Sequence, residues 1–348
     1  MNHTEILSWL REERAEALAD LWRKADDARR DGVGDEVHLR GLIEVSNHCV
    51  RQCHYCGLRA GNRDLLRYRM SVEEILDCAR AAVRFGYGTV VVQAGEDPGL
   101  TGPLVADLVR QIKDELPLAV TLSLGERSLE ELATWCNAGA DRYLLRFETS
   151  NPELFARIHP PRRGEATPVD RIGLLGQLRR LGYEVGSGIM IGIPGQTQAD
   201  LARDLELFGK LDLDMIGVGP FIAHPATPLA VTQSTDRLTV DEQVPPTELM
   251  TYKAVALARL CCPRANIPST TALATLNLAE GRELGLQRGA NILMPNLTPP
   301  RYRTQYEIYP AKACIQETAE QCQGCMRRRI DSIGRRVGQG HGAAQSRM

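Results

Sequence analysis

Residues 39–57 read LRGLIEVSNHCVRQCHYCG. The run from Leu39 to Val45 is largely apolar and too short for a helix, so it reads as a buried strand. A polar loop with three cysteines follows at once. A strand that delivers reactive side chains at its C-terminal end is the unit from which parallel α/β folds build their sites. Outward from this stretch the pattern repeats. Further apolar runs lie at Thr89–Ala94, Ala119–Ser123, Tyr143–Glu148, Gly188–Ile191, Met215–Val218, Ile267–Thr270 and Ile292–Met294. Helical patterns separate them at Ser71–Phe85, Thr101–Asp114, Ser128–Asn137, Pro168–Leu181, Thr197–Leu211 and Asp241–Leu260. Ser71 with Glu74, Ser128 with Glu131 and Thr197 with Asp200 carry a capping signature, which satisfies free N–H groups of a first helical turn. Strands alternating with helices in this way predict an α/β (β/α)8 TIM barrel. An open α/β sheet is the alternative, since the last three strands are the weakest.

A barrel gathers its chemistry at the C-terminal ends of its strands. Cys49 follows the first strand, Glu96 and Asp97 follow the second, and Ser123 and Glu126 end the third. Arg146 and Glu148 end the fourth, and Thr270 and Thr271 the seventh. Period-two alternation turns Arg146 and Glu148 into the barrel and Phe147 outwards. A buried Arg and Glu neutralise each other. In the functional reading Arg146 faces an anion, a task for which its planar fork is suited. Ser123, Thr270 and Thr271 add hydroxyl donors, although such residues also serve as turn and cap residues.

The 348 residues exceed the roughly 250 at which one core stops growing, yet fit a barrel with extensions. The expected parts are an N-terminal helical extension over 1–35, the barrel over 36–310 and a C-terminal extension over 311–348. The net charge of −2, from 42 Lys+Arg against 44 Asp+Glu, lacks the basic excess of a nucleic-acid binder. No apolar run approaches the roughly 20 residues needed to span a bilayer. The first 30 residues form an amphipathic, charged helical pattern without a signal-peptide core. A cytoplasmic protein with reduced thiols is expected, because ten cysteines are too sparse for a disulfide scaffold. The Gly-rich stretch after about Gly334, ending GQGHGAAQSRM, is expected to be disordered.

Cys49, Cys53 and Cys56 have the spacing C-x3-C-x2-C, with Tyr55 before the last thiol. Soft thiolates select iron–sulfur clusters or zinc. A closed structural zinc site needs a fourth ligand, for which His48 or His54 is available. Three thiolates on a cubane instead leave one iron open, and an open position marks a reactive site.

This spacing, with AGEDP at Ala94–Pro98 and GIMIGIPGQT at Gly188–Thr197, resembles the radical S-adenosylmethionine (SAM) superfamily. RYRMSVEEI, TLSLGE, ADRYLLRFETSNP, IGVGPFIAHPATPLA, NIPSTTA and GANILMPNLTPPRYR narrow the resemblance to its FeFe-hydrogenase maturase family. Biotin synthase and methylornithine synthase belong to the same group. The resemblance runs from about Glu36 to Gly334. It implies a [4Fe-4S] cluster on Cys49, Cys53 and Cys56, with SAM chelating the open iron. One electron then cleaves SAM to methionine and a 5′-deoxyadenosyl radical. It also implies cofactor contacts from Tyr55, Gly95, Glu96, Glu148, Arg171, Met190, Met294 and Tyr306. The implied substrate cavity is lined by Ser123, Arg146, Thr270 and Thr271. The substrate would be a small organometallic iron–cysteine species bearing CO and cyanide. HydG and HydF are the implied partners, and ferredoxin or flavodoxin the implied reductant. Phe147 stands where the family often has His, and the loop Pro160–Pro168 before Arg171 looks longer than usual.

Cys314, Cys322 and Cys325 form a second group, C-x7-C-x2-C. The resemblance implies an auxiliary [2Fe-2S] or [4Fe-4S] cluster there; zinc or an empty site are the alternatives. Cys78, Cys136, Cys261 and Cys262 fall in helical patterns and read as packing residues. Beyond the motif loop no expected strand carries a cysteine, which counts against sulfur insertion of the biotin synthase kind. Two other functions fit the residues: a radical SAM mutase or isomerase acting on an amino acid, and a non-catalytic iron–sulfur scaffold.

Overall fold

The computed structural model describes residues 1–162, 164–231 and 242–344. Among the described residues seven parallel strands follow one another around a curled sheet, to which a short eighth is added at the start of the first. They are β1 (Glu36–Ser46), β2 (Thr89–Ala94), β3 (Ala119–Ser123), β4 (Arg142–Leu144), β5 (Glu184–Ile191), β6 (Met215–Pro220) and β7 (Ile292–Leu293), in the order β6-β5-β4-β3-β2-β1-β7. The segment 266–268 stands between the two ends of this path. Asn266 bridges Met215 and Pro268 bridges Ile292, both in parallel sense. The Ile216 N–H donates to Asn266 O and the Ser269 N–H to Ile292 O, each at 3.0 Å. The expected seventh strand is therefore present as bridges rather than as a ladder, because Pro268 has no N–H to give. The ring closes through it, and the open-sheet alternative falls.

The expected strand Tyr143–Glu148 is regular only as far as Leu144. Beyond it the Leu145 and Glu148 N–H groups still donate to Gly186 O and Gly188 O, both at 3.0 Å. Glu148 has φ 63°, a left-handed conformation that interrupts a ladder. Phe147 nevertheless turns outwards and packs on Phe208, with ring centroids 5.6 Å apart.

Helices Val72–Arg84, Gly102–Glu115, Leu129–Asn137, Arg171–Leu181, Gln198–Leu211 and Glu248–Cys261 lie between the strands. All three expected capping boxes form. Two helices begin later than their periodicity suggests. Asp170 caps the helix expected from Pro168. Thr247 caps the one expected from Asp241, since Pro245 and Pro246 cannot continue a helical turn; Asp241 itself lies outside the described residues. The N-terminal pattern is two helices, His3–Arg11 and Ala15–Val33. They part at Glu12, whose carboxylate accepts from the Glu13 and Arg14 N–H groups. Among the described residues no helix is long and apolar enough to cross a membrane.

The stretch after Gly334 is ordered as far as it is described, through residue 344, which corrects the expectation of a disordered tail. Strand β8 (Arg336–Val337) pairs in parallel with Glu36 and Val37 at the start of β1. The following residues cross the N-terminal end of the barrel. Thr89 Oγ1 donates to His341 O at 2.8 Å, Arg40 donates to Gly342 O at 2.9 Å, and Asn266 donates to the same oxygen at 3.1 Å. Glycine permits this closeness: a Cβ on Gly88 would lie 1.8 Å from Gly340 O. Composition suggested a solvated tail, but these carbonyls satisfy buried donors that would otherwise cost free energy.

Candidate active site

The cysteine loop leaves β1 at the C-terminal end of the barrel. Arg67 holds it in shape by donating to four carbonyls, those of Asn47, Leu58, Arg59 and Asn62. The end of β2 presses against it, and a Cβ on Gly95 would lie 2.3 Å from His48 O. Cys53 is buried, and Cys49 and Cys56 are half-buried. Burial pushes the Cys49 and Cys53 thiols up and takes Cys56 to about 12. The Arg51 N–H points at Cys49 Sγ at 3.5 Å.

Beneath the loop a cavity of about 360 Å³ runs down the barrel axis. Cys49, Cys56, Tyr55 and Gly95 border it at the top, and Glu148, Met190, Met294 and Tyr306 line its wall. Ser123, Arg146, Thr270 and Thr271 line it too. Arg146 grips Glu148 with Nε at 3.0 and 3.1 Å from the two carboxylate oxygens and its NH2 at 2.9 Å. The same guanidinium donates to Ile189 O and Gly217 O. Thr270 has a second task, since its Oγ1 accepts from the Leu273 N–H as a helix cap.

Glu96 and Arg171 are not part of the cavity wall. They belong to a buried cluster behind the cysteine loop. Arg162 donates to Glu96 at 2.7 Å, and Arg171 Nε donates to Glu126 at 2.7 Å. Arg51 lies 3.0 Å from Glu126. His159 sits at the centre, 3.0 Å from Cys53 Sγ through Nδ1, and burial takes it down to about 4. Glu96, Glu126 and His159 bring three potential ligand atoms within 4.8 Å of one another. The arginines already neutralise that group, so it reads as an ion network rather than a cation site.

Several cavity residues have no counterpart among the sequence expectations. Arg40 and Glu44 flank Leu42 on the inward face of β1. The alternation that located Arg146 and Glu148 would have located them as well. Lys312 comes from beyond the barrel, forms an ion pair with Glu44 and lies 5.3 Å above the Tyr306 ring. Nothing local marks it.

In the C-terminal extension, Cys322 and Cys325 lie on the helix Ala319–Ser332, and Cys314 precedes it at φ 61°. A hydrogen bond from Cys322 draws the Cys314 thiol down, and Arg282 stands 3.7 Å from Cys314 Sγ. Cys78 and Cys136 donate to Leu297 O and Leu181 O, as packing thiols do.

A three-thiol loop over a closed α/β barrel defines a radical SAM enzyme, and the model of the Radical SAM superfamily matches residues 43–208. The [FeFe] hydrogenase maturase subunit HydE of Thermotoga maritima is 47% identical over 92% of this chain and 88% of its own length. The chain belongs to the HydE family. The 3-methylornithine synthase of Methanosarcina barkeri is 27% identical over 86% of this chain and 80% of its own. The solved structure of methylornithine synthase (PylB) superposes with a TM-score of 0.79 at 24% identity, covering 97% of this chain and 94% of that one. The structure of HydG, a maturase of the [FeFe]-hydrogenase, does so at 0.74 and 18% identity, covering 95% and 72%. These two likenesses speak for the fold. Membership of the superfamily implies a [4Fe-4S] cluster and SAM. The donor set fits them: three soft thiols in one loop, a backbone N–H aimed at sulfur, and close backbone approach at Gly95.

Proposed function

We propose that this protein is a maturase of FeFe-hydrogenase that cleaves SAM and acts on an iron–cysteine species bearing CO and cyanide. The observation that carries the reading is the cysteine loop opening onto a cavity inside the barrel, with Arg146 and Glu148 fixed on its wall. Identity of 47% to the HydE subunit of Thermotoga maritima supports the same role. Cys49, Cys53 and Cys56 hold the cluster. When bound, it supplies the open iron and the electron that split SAM into methionine and a 5′-deoxyadenosyl radical. Tyr55, Gly95, Glu148, Met190, Met294 and Tyr306 surround SAM. Glu96 and Arg171 belong to the same SAM site, and they also fix the loop through Arg51, Glu126 and Arg162. Arg146, Ser123, Thr270 and Thr271 bind the substrate, and the closed wall keeps water from the reacting atoms.

The parts are the extension over 1–35, the barrel over 36–310 and the C-terminal region over 311–348. Cys314, Cys322 and Cys325 hold an auxiliary [2Fe-2S] or [4Fe-4S] cluster. HydG and HydF are the partners, ferredoxin or flavodoxin the reductant, and the cytoplasm the compartment. The test is anaerobic maturation of hydrogenase with purified HydG and HydF, with and without this protein, and with 5′-deoxyadenosine measured alongside. Maturation that depends on this protein is expected. SAM cleavage without maturation would favour the amino-acid isomerase reading instead. Absence of both would leave the scaffold reading.

A further inference from the structure

We propose that His159 is a positioning residue for the iron–sulfur cluster, its Nδ1–H donating a hydrogen bond to the Cys53 sulfur. The inference rests on the reading that Cys53 is a cluster ligand.

The proton on the ring is assigned by its neighbours. Two guanidinium groups meet the other ring nitrogen: Arg51 NH2 lies 2.6 Å and Arg171 NH2 2.8 Å from Nε2. Arginine nitrogens only donate. Nε2 must therefore accept, and a neutral imidazole then carries its single proton on Nδ1. Nδ1 faces Cys53 Sγ at 3.0 Å, while Arg171 NH2, which is closer to Nε2, stands off from it at 3.5 Å. A carboxylate oxygen of Glu126 also lies 3.1 Å from Nε2, but it takes its protons from Arg171 Nε at 2.7 Å and from Arg51. An imidazolium would set an N–H against two cationic donors, so this surround excludes it. Phe155 stacks on the ring, with centroids 5.0 Å apart and planes 24° apart. The cysteine loop is tied to the same turn, since the His54 N–H donates to Ile158 O at 2.8 Å. Ring plane and distance to sulfur are thus fixed by parts outside the loop, and the tautomer by Arg171 together with Arg51 of the loop itself.

Donation to a ligand sulfur favours the more electron-rich state of a cluster, and such hydrogen bonds set its potential. The two arginines on Nε2 polarise the ring and strengthen the donor. His159 thereby eases reduction of a cluster that must accept an electron before SAM is cleaved.

The test is an EPR-monitored redox titration of the reconstituted cluster, without substrate, in the native protein, His159→Leu and His159→Asn. The Asn amide nitrogen reaches the place of Nδ1. The expected result is a more negative midpoint in His159→Leu. At the native midpoint its reduced-to-oxidised ratio should fall about tenfold, a shift of about 59 mV for one electron. His159→Asn should recover most of it. An unchanged midpoint in His159→Leu overturns the inference. Should that variant fail to fold or to load, the unsubstituted protein with its cluster in the oxidised, diamagnetic state decides by ¹⁵N NMR of its histidines. A His159 protonated on Nδ1 is expected, and one protonated on Nε2 overturns the inference. A Cys53→Ala variant with the native cluster signal removes the premise instead and overturns both readings.

Discussion

Arg146 is the side chain on which the cavity wall turns. It closes on both oxygens of Glu148 and on two backbone carbonyls at once, a geometry that only a planar fork with five N–H groups satisfies. Arg146→Lys should therefore destabilise the protein by about 1.5–3 kcal/mol, the range for hydrogen bonds to charged groups, as read from the urea midpoint. The pair was visible to simple alternation even though the strand that carries it is irregular. His159 and Cys53 were not: they stand 106 residues apart, and no local pattern joins a helix end to a loop across that distance. A second prediction concerns His38. A Cβ on Gly338 or Gly342 would lie 2.6 or 2.7 Å from its ring, so the tail lies against it. Burial lowers its pKa from 6.5, Arg40 and Arg142 add to this, and Glu36 opposes it. The unfolded chain thus takes up the proton first. Stability should fall as pH drops below about 6.5 and level off once the folded form also protonates. Amide protection of residues 338–342 should weaken over that window in the native protein and stay flat in His38→Gln.

At the scale of elements, helix starts were the most readable feature. Ser71, Ser128 and Thr197 each accept from the N–H three residues on, and the acidic partner reaches back. Ser71→Ala should cost about 1 kcal/mol of stability by chemical denaturation, while Ser71→Asp should cost less. Strands were readable where both faces are apolar, as in β2, and hardest where proline intervenes. Pro268 leaves a segment that closes the ring by isolated bridges, so its apolar run marked the right place but the wrong regularity. Composition misled at Gly338–Gly342. The glycines there provide close approach to Gly88 and His38 rather than freedom, and composition alone does not separate the two uses of the residue.

At the scale of the whole molecule, chain that lies outside the barrel in sequence contributes at both of its ends. Lys312 reaches the cavity from the C-terminal region at one end, and residues 338–342 cross the other. Gly88→Ala should push the crossing segment away, because its methyl carbon would fall 1.8 Å from Gly340 O. Hydrogen exchange at residues 338–344 should rise sharply in that variant while the strands keep their protection. Failure to see this would mean that the segment is bound by other contacts than the ones described.

The crossing segment follows every strand of the barrel in the chain. Synthesis runs from the N-terminus, so all strands leave the ribosome before the residues that seal their lower end. A nascent barrel is therefore open from below for as long as translation of that segment takes. Arg40, Thr89 and Asn266 then meet water rather than carbonyl oxygens. The floor of the barrel can therefore be sealed only after all of its strands have been made.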